Sequence, residues 1–333
     1  MARYLVTGGA GFIGSHVVEA LLAQGHRVRV LDDLSTGTLD NLTEVSDRIE
    51  FIKGDIRDRR MVARVCQGIE SVIHEAAWRS VPKSMADPCG YAEVNVLGTV
   101  NLLEAAVKAK VRRVVCVSSS SVYGQTDEMP LREDQPARPI SPYAASKLAG
   151  ELYCGLFWRG FGLETVAVRY FNVFGPRQSL ENEYAVVVPK FITSLLRGEP
   201  PPVYGDGTQT RDFTYVESVV EATLLASQTP GISGEVLNIA LGEEHSVLEL
   251  LRELNAILGL DVPPSFKPPR PGDVQRTLAD PSKAMRLLPW QGRVMFAEGL
   301  RHTVEWFRAH PDRLVRTPHT TPLGSGLGVG GSG

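Results

Sequence analysis

Residues 7–14 of the chain, Thr7-Gly8-Gly9-Ala10-Gly11-Phe12-Ile13-Gly14, follow a short apolar run and open a segment with helical periodicity. Gly8 permits a tight turn, Gly11 removes a Cβ where a pyrophosphate must approach the backbone, and Gly14 lets the helix pack closely on the strand. The N-terminus of the helix then offers unpaired N–H groups and the positive end of its dipole to phosphates. The stretch therefore predicts a dinucleotide-binding strand–turn–helix unit.

An acidic pair stands where the second strand of such a unit ends. Asp32 and Asp33 come eighteen residues after Gly14 and directly after a predicted strand. A carboxylate at this place accepts hydrogen bonds from the ribose diol of adenosine and repels a 2′-phosphate, so we expect NAD rather than NADP. The alternative is a structural glycine turn with a solvated pair of aspartates, which the strand–turn–helix context disfavours.

Short apolar runs alternate with segments of helical periodicity in the first half of the chain, which predicts an α/β fold with a doubly wound parallel sheet of the Rossmann type. After about residue 170, prolines interrupt shorter elements and predict a smaller α/β substrate-binding part. We expect residues 1–170 to bind the cofactor, joined by later segments near 212–240, residues 171–316 to bind mainly the substrate, and residues 317–333 to form a flexible tail. The predicted strands are Tyr4–Thr7, Val28–Leu31, Phe51–Lys53, Ser71–His74, Val114–Ser118 and Glu164–Val168, and the predicted helices are Ile13–Ala23, Tyr91–Ala109 and Ala144–Phe157.

The composition disfavours several classes of function. The 333 residues include 35 Lys and Arg against 38 Asp and Glu, and a net charge of −3 argues against a nucleic-acid or membrane surface. The four cysteines share no metal-ligand spacing, so we expect reduced thiols and no metal site. The sequence contains no secretory pattern and no long apolar run, and we expect a cytoplasmic protein.

A tyrosine and a lysine lie one helical turn apart near the middle of the chain. In the stretch SPYAASK, Ser141 predicts an N-cap and Pro142 the first helical position. Tyr143 and Lys147 then share one helix face, and an ammonium beside a phenol favours the phenolate. This pair predicts a general base that works near neutral pH. The motif alone is common, and its alternative is a surface tyrosine with a solvated lysine.

A serine-rich turn follows the predicted strand Val114–Ser118. The turn contains Ser119 and Ser120 and leads into Tyr123. Because ligands of doubly wound sheets bind at the carboxyl ends of the strands, these hydroxyls are expected to point into the binding crevice.

With the glycine stretch, the serine-rich turn and the Tyr143/Lys147 pair in this order, residues 3–310 resemble extended short-chain dehydrogenases/reductases of the NAD-dependent epimerase/dehydratase family. The resemblance is strongest to its UDP-glucose/UDP-N-acetylglucosamine 4-epimerase branch. It implies an isomerase with tightly bound NAD that inverts C4 of UDP-hexoses through a transient 4-keto sugar. It also implies a homodimer formed by two helices of each protomer, whereas burial of those helices against their own sheet explains some of the apolar positions equally well.

The resemblance further implies roles for individual residues. The catalytic residues would be Ser119, with Ser120 as a neighbouring alternative, together with Tyr143 and Lys147. The cofactor-binding residues would be Gly8, Gly11, Phe12, Ile13, Gly14, Asp32, Asp33, Ser35, Thr36, Gly37, Asp55, Ile56, Ala76, Ala77, Arg79, Asn95, Ser118, Tyr143, Lys147 and Phe171. The substrate-binding residues would be Ser119, Ser120, Asn172, Val187, Val188, Val203, Tyr204, Arg211, Arg270, Asp273 and Thr277.

Two positions bear on the choice of reaction and substrate. Related dehydratases and decarboxylases carry an acidic residue two positions before the tyrosine of the VYG segment, where this chain has Ser121. Without that carboxylate, elimination after oxidation at C4 lacks its usual base, whereas epimerisation needs none. Thr277 stands where the family has a residue of the sugar pocket, and its small side chain predicts tolerance of a 2-acetamido group.

Four other functions remain as alternatives from sequence. A UDP-glucuronate 4-epimerase, a decarboxylase or a dehydratase would use the same scaffold, and Ser121 argues against the last two. A non-catalytic NAD-binding regulator is the alternative from another class. Such proteins typically lose Tyr or Lys from the YxxxK motif, and this chain keeps both Tyr143 and Lys147.

Overall fold

Apolar runs that are buried on both faces form a parallel sheet at the centre of the protein. The computed structural model describes residues 1–180, 187–269 and 274–314. The strands in these ranges are β1 (Arg3–Thr7), β2 (Arg27–Asp32), β3 (Ile49–Lys53), β4 (Ser71–His74), β5 (Arg113–Ser119), β6 (Glu164–Tyr170), β7 (Asn172–Phe174), β8 (Pro202–Tyr204), β9 (Thr210–Arg211), β10 (Phe213–Tyr215), β11 (Val236–Ile239), β12 (His245–Ser246) and β13 (Ser265–Lys267).

Helices connect the strands and cover both faces of the sheet. In the described ranges the α-helices are α1 (Phe12–Ala23), α2 (Arg59–Val65), α3 (Val81–Ala86), α4 (Pro88–Tyr91), α5 (Gly98–Lys108), α6 (Pro142–Phe161), α7 (Val187–Leu196), α8 (Val216–Gln228), α9 (Val247–Leu258), α10 (Ser282–Leu287) and α11 (Phe296–Ala309). Shorter 3₁₀ segments are Leu39–Arg48, Ser120–Tyr123 and Pro311–Leu314, and Ala92–Leu97 is a π-helical segment.

The order of the strands places a ligand-binding crevice at the middle of the sheet. Within the described residues the main sheet has seven strands in the order β11-β6-β5-β4-β1-β2-β3, and every neighbouring pair is parallel. The chain moves outward from β1 to β3 and returns with β4 on the other side of β1. Ligands of open α/β sheets bind outside the carboxyl ends of the strands at such a reversal. The predicted doubly wound sheet is confirmed, and the glycine stretch Thr7–Gly14 lies at its reversal point.

Several predicted elements differ from the structure in their bounds; β3 begins at Ile49 rather than Phe51, and α6 runs from Pro142 to Phe161 rather than from Ala144 to Phe157. The predicted helix Tyr91–Ala109 consists of the end of α4, the π-helical segment and α5. Apolar periodicity identifies a helix, but it does not reveal one wider turn inside the helix. Strand β6 runs to Tyr170, two residues further than predicted, because its pairing with β5 continues as far as Ser119 opposite Tyr170.

The residues after 170 divide between the main sheet and a smaller α/β part. Strand β11 pairs with β6, and helix α8 packs against α1, so both extend the main sheet and its covering helices. The smaller part contains the two-stranded ladders β7–β10, β8–β13 and β9–β12. Its helices bury Phe191, Leu250 and Phe307 in one core with Val6 of β1. A smaller α/β part is therefore present, and it shares its core with the main sheet; that it binds the substrate stays a prediction.

Two properties of the described residues concern membrane spans and metal sites. None of the helices in these ranges is long and apolar enough to cross a membrane. The same residues contain no group of three or more His, Cys, Asp or Glu side chains that could hold a metal ion.

Candidate active site

A cleft of about 500 Å³ opens at the reversal point of the main sheet and extends to the smaller part. Its volume is within the range of small-molecule sites in proteins. The predicted cofactor, catalytic and substrate residues that line it are Gly8, Gly11, Phe12, Ile13, Gly14, Asp32, Asp33, Ser35, Thr36, Ile56, Ala76, Ala77, Arg79, Ser118, Ser119, Ser120, Tyr143, Lys147, Phe171, Asn172, Val187, Val188, Tyr204 and Arg211.

The glycine stretch at one end of the cleft leaves no space for side chains. Gly8 has a φ of 71°, in the left-handed region that favours glycine, and a Cβ there would lie 2.6 Å from the backbone nitrogen of Ala76. A Cβ on Gly14 would lie 2.2 Å from the carbonyl oxygen of Gly8. No side chain caps the N-terminus of α1, so its first N–H groups are available to an anion. These observations fit the pyrophosphate of a dinucleotide.

The two aspartates after β2 lie beside this turn. Asp32 accepts hydrogen bonds from the backbone N–H of Ala10 at 2.9 Å and of Leu34 at 2.8 Å, one on each carboxylate oxygen. Asp33 is more exposed, and one of its oxygens accepts from the backbone N–H of Ser35 at 2.9 Å. Burial raises the pKa of Asp32, and the two backbone hydrogen bonds oppose that change. Asp32 thus fixes the turn, and lone pairs remain on both carboxylates for a ribose diol.

Ser119 and Tyr143 both line the cleft, and the side chain of Ser119 is near enough to the phenol to lower its pKa. Helix α6 carries Tyr143 in its first turn, where Ser141 accepts from the backbone N–H of Ala144 at 3.1 Å and caps the helix. The end of β5 carries Ser119, whose hydroxyl oxygen accepts from the hydroxyl of Ser121 at 3.0 Å. A strand end and a helix start therefore bring together two hydroxyls that could bind one substrate alcohol.

The pKa of Tyr143 is raised by burial, which is the opposite of the direction expected from sequence. The hydrogen bond with Ser119 and the positive charge of Arg79 lower it by less. Lys147 donates from Nζ to the carbonyl oxygen of Val117 at 2.9 Å, and burial lowers the pKa of Lys147 to about 8. The expectation rested on the ammonium of Lys147. Burial removes water from the phenol of Tyr143 and favours its neutral form.

The substrate end of the cleft is formed by the smaller part. Asn172 begins β7, and Arg211 lies on β9, where its Nη1 donates to the carbonyl oxygen of Thr210 at 2.8 Å. Lys190 also lines the cleft, and its Nζ lies 5.5 Å from the ring centroid of Tyr204. Guanidinium and ammonium groups are suited to phosphate oxygens. This end can therefore hold an anionic nucleotide.

Five predicted site residues do not line the cleft in the described part of the chain, and three of them lie in its walls. A Cβ on Gly37 would lie 2.8 Å from the carbonyl carbon of Ala10, so this glycine packs behind the glycine turn. Asp55 accepts from Nε of Arg57 at 2.9 Å and from its Nη2 at 2.6 Å. Val203 is buried in the core of the smaller part. These residues support the walls of the cleft, which spacing along the chain could not distinguish from lining it.

The other two of these residues, Asn95 and Thr277, form hydrogen bonds with residues that line the cleft. Asn95 donates from Nδ2 to the carbonyl oxygen of Trp78 and to Oγ of Ser146, both at 2.9 Å, and accepts from the backbone N–H of Trp78 at 2.8 Å. It thereby ties the loop after β4 to α6. Thr277 donates to Oδ1 of Asn172 at 3.3 Å and does not itself line the described cleft. A larger side chain at Thr277 would reach the cleft by displacing Asn172.

Arg270 and Asp273, the last two predicted nucleotide-binding residues, lie outside the described residues, as does the predicted tail 317–333. The substrate end of the cleft is therefore described from the other predicted residues alone.

The cleft also contains polar side chains that the sequence analysis did not select. Glu75 follows β4 directly, and Gln178 and Lys190 come from the smaller part. Oε1 of Gln178 is buried and has no hydrogen-bond partner among the described residues. Glu75 could have been predicted, because it ends a buried strand at the edge of the sheet where ligands bind. Gln178 and Lys190 belong to no motif that would have identified them.

Comparisons with known proteins agree with this geometry. The family model described as GDP-mannose 4,6 dehydratase matches residues 5–303. The UDP-glucose 4-epimerase of Mycolicibacterium smegmatis is 45% identical over 310 residues, which cover 92% of this chain and 98% of that one.

Two solved structures share the fold. The UDP-N-acetylglucosamine 4-epimerase of Methanobrevibacter ruminantium, in complex with UDP-N-acetylmuramic acid, has a TM-score of 0.89 and 39% identity over 92% of this chain and 98% of that one. The UDP-glucose 4-epimerase of Thermus thermophilus, in complex with NAD, has a TM-score of 0.86 and 41% identity over 92% of this chain and 99% of that one. Together with the cleft geometry, these matches show that the chain belongs to the NAD-dependent epimerase/dehydratase family of extended short-chain dehydrogenases/reductases.

Proposed function

We propose that the protein is an isomerase that interconverts UDP-glucose and UDP-galactose by inverting C4 through a transient 4-keto sugar. The observation that carries this proposal is that Ser119, Tyr143 and Lys147 line one cleft between the glycine turn and the cationic substrate end. One pair of hydroxyls can then serve a substrate alcohol in both directions of a proton transfer. The similarity to UDP-sugar 4-epimerases supports the same reaction.

The residues around the glycine turn fit NAD as the cofactor. The uncapped N-terminus of α1 after the tightly packed glycine turn suits a pyrophosphate, and the carboxylates of Asp32 and Asp33 suit an unphosphorylated ribose diol. Lys147, at the centre of the cleft, would hold the other ribose. When bound, NAD supplies the acceptor and donor of a hydride at C4 and a positive charge near the tyrosine.

Side chains of the protein would transfer the proton and hold the substrate. Tyr143 takes the proton of the C4 hydroxyl and later returns it, and Ser119 holds that hydroxyl in line with the phenol oxygen. Asn172 and Arg211 keep the diphosphate in place while the keto sugar turns over. Arg79 lowers the pKa of Tyr143, which favours proton removal.

Epimerisation fits the cleft better than elimination or decarboxylation, although the family contains dehydratases as well. The hydroxyl of Ser121 donates to Ser119, so the position two residues before Tyr123 holds no acid. Glu75 is a carboxyl group in the same cleft, but its oxygen contacts Tyr170 at 2.8 Å. A base aimed at C5 of the sugar is therefore not evident among the described residues.

Other parts of the proposal follow from the same resemblance. We propose that residues 1–170, with β11 and α8, bind NAD and that most of residues 171–316 bind the sugar nucleotide.

A homodimer through the helices around residues 91–109 and 144–158 is supported by the exposed side chains of Leu97, Leu152 and Leu156. Acceptance of N-acetylated sugars stays a prediction, since Thr277 acts through Asn172.

The purified protein is expected to convert UDP-glucose into a mixture with UDP-galactose when no NAD is added. The reaction is redox-neutral over one cycle, so NAD that stays bound during purification suffices. Product analysis by proton NMR with a panel of UDP-sugars measures this. A strict requirement for stoichiometric added NAD, with an oxidised sugar as product, would indicate a dehydrogenase. Conversion of UDP-glucuronate alone would indicate the uronate epimerase.

A further inference from the structure

Glu75 is a carboxyl group in the cleft that the proposed mechanism does not use. It follows β4 and lines the cleft together with Tyr143, Lys147 and Tyr170. Its backbone N–H donates to the carbonyl oxygen of Thr7 at 3.1 Å, so the residue is anchored to β1. The side chain therefore has a fixed place at the centre of the site.

Glu75 is the first of a row of hydrogen-bonding groups that leads into α8. Oε1 of Glu75 lies 2.8 Å from Oη of Tyr170. The same Oη lies 2.7 Å from Oγ1 of Thr223. Oγ1 of Thr223 lies 2.7 Å from the carbonyl oxygen of Val219. Tyr170 and Thr223 are both buried, so water does not substitute for these contacts.

Counting hydrogens along this row gives a preferred protonation state. The carbonyl oxygen of Val219 has no hydrogen, so the hydroxyl of Thr223 must donate to it. The hydroxyl of Tyr170 must then donate to Thr223, because each hydroxyl has one hydrogen. The remaining contact, between Tyr170 and Glu75, is satisfied only if Glu75 is a carboxylic acid that donates to Tyr170.

Loss of the proton from Glu75 would reverse the direction of the hydrogen bonds in this row. Tyr170 would donate to the carboxylate, and its oxygen could then accept from Thr223, whose bond to Val219 would be given up. The proton leaves to solvent through the cleft, while each hydroxyl keeps its hydrogen and turns it to another oxygen. The acid form makes three hydrogen bonds along the row and the ionised form makes two, of which the bond from Tyr170 to the carboxylate is charge-assisted and favours ionisation. Thr223 takes part in two bonds of the acid form and in one of the ionised form, so its hydroxyl favours the acid.

We infer that Glu75, Tyr170 and Thr223 form a hydrogen-bonded row whose direction depends on the protonation of Glu75, and that Glu75 is a positioning residue, which sets the charge facing Tyr143 and Lys147. The titratable groups that face Glu75 are Lys147, Tyr143 and Tyr170. The neighbouring His74 stays neutral, because burial lowers its pKa to about 3.

The electrostatics of the site agree with this inference. Burial raises the pKa of Glu75 to about 7, while the hydrogen bond with Tyr170 and the charge of Lys147 lower it by less. The negative charge of an ionised Glu75 raises the pKa of Tyr143. A protonated Glu75 therefore makes the phenol a better proton donor and its phenolate easier to form.

The row is tested by titration of Glu75 in the full chain. Glutamate labelled with ¹³C at Cδ reports each carboxyl by NMR, and the signal lost in Glu75→Gln identifies Glu75. The midpoint is expected well above the ordinary range of glutamate. Thr223→Val should lower it by about half to one pH unit, because the acid form loses two hydrogen bonds and the ionised form one.

Three variants show whether the effect passes along the row. Thr223→Ser keeps the hydroxyl and should leave the midpoint unchanged. Thr303→Val removes a buried helical threonine with the same kind of backbone bond, to Gly299 at 2.6 Å in α11, and should also have no effect. In a Tyr170→Phe background, Thr223→Val should no longer shift the midpoint. A midpoint in the ordinary range, or one that Thr223→Val leaves unmoved or raises, would overturn the inference.

The role in the reaction rests on the proposed function and is measured separately. Glu75→Gln is permanently neutral, so its pH–rate profile should coincide with that of the wild type below the midpoint of Glu75 and lie above it at higher pH, where the ionised carboxylate of the wild type raises the pKa of Tyr143. Profiles that also coincide above the midpoint, in an active variant, would exclude the positioning role. If neither protein epimerises UDP-glucose, the proposed function fails, while the NMR titration still decides whether the row exists.

Discussion

Tyr143→Phe is expected to lower the rate of epimerisation by about 10²–10⁴-fold, the usual contribution of a general acid–base group. The variant keeps the ring, which packs edge-on against Tyr91 with a centroid distance of 6.4 Å, and loses only the oxygen that bonds Ser119. Binding of NAD should be retained, because the glycine turn and the two aspartates are untouched. The comparison requires steady-state rates and the amount of dinucleotide that co-purifies with each protein.

Tyr91→Phe provides the matched control for this experiment. It removes the hydroxyl of the tyrosine that packs on Tyr143, and that hydroxyl bonds Ser80 rather than a group of the proposed catalytic set. Its rate should stay close to that of the wild type. If Tyr143→Phe kept more than about a tenth of the activity while the control behaved as expected, the phenol would not be the acid–base group.

Glu151→Ala is expected to destabilise the protein by about 3–5 kcal/mol, the cost of leaving one charge of a buried pair without its partner. Both oxygens of Glu151 accept from Arg169, at 2.9 and 2.7 Å, and each of the two side chains is only 5% exposed. The hydroxyl of Ser118 donates to the same carboxylate. The guanidinium also lies 4.7 Å from the ring centroid of Tyr123. The pair thus joins α6 to β5 and β6 beneath the serine turn.

Urea unfolding, followed by circular dichroism, gives the free energy of unfolding for this comparison. Glu104→Ala is a suitable control, because Glu104 pairs with Arg59 and Lys108 at the surface, where solvent screens the charges and the loss of stability should be much smaller. The double variant Glu151→Leu, Arg169→Met should be more stable than Glu151→Ala, since it leaves no buried charge. A loss in Glu151→Ala no larger than in Glu104→Ala would show that the buried pair does not stabilise the fold.

Local patterns predicted most of the nucleotide-binding half. The strands of the main sheet are recognisable because they are buried on both faces and therefore consist of near-continuous apolar runs, as in Ser71–His74. The glycine stretch was interpretable because its glycines are required by backbone contacts that no side chain could make. The start of α6 was equally clear, since Ser141 and Pro142 are typical of helix N-termini.

Properties that arise only from tertiary contacts could not be predicted in the same way. The ammonium of Lys147 suggested an acidic tyrosine, but burial raises the pKa of Tyr143 in the protein alone. Asn95 was expected beside the cofactor, and it instead bonds the backbone of Trp78. The row from Glu75 to Thr223 joins residues far apart in the chain, so no spacing rule could have found it.

The transfer of hydrogen at C4 is tested most directly with UDP-glucose that carries deuterium on C4. The proposed reaction removes that hydrogen as a hydride and returns it to the opposite face within the same closed cycle. After incubation in ordinary water without added NAD, the UDP-galactose formed should therefore retain deuterium at C4, as measured by NMR. Loss of the deuterium to water, or its appearance at C6 of a dehydrated product, would contradict epimerisation at C4.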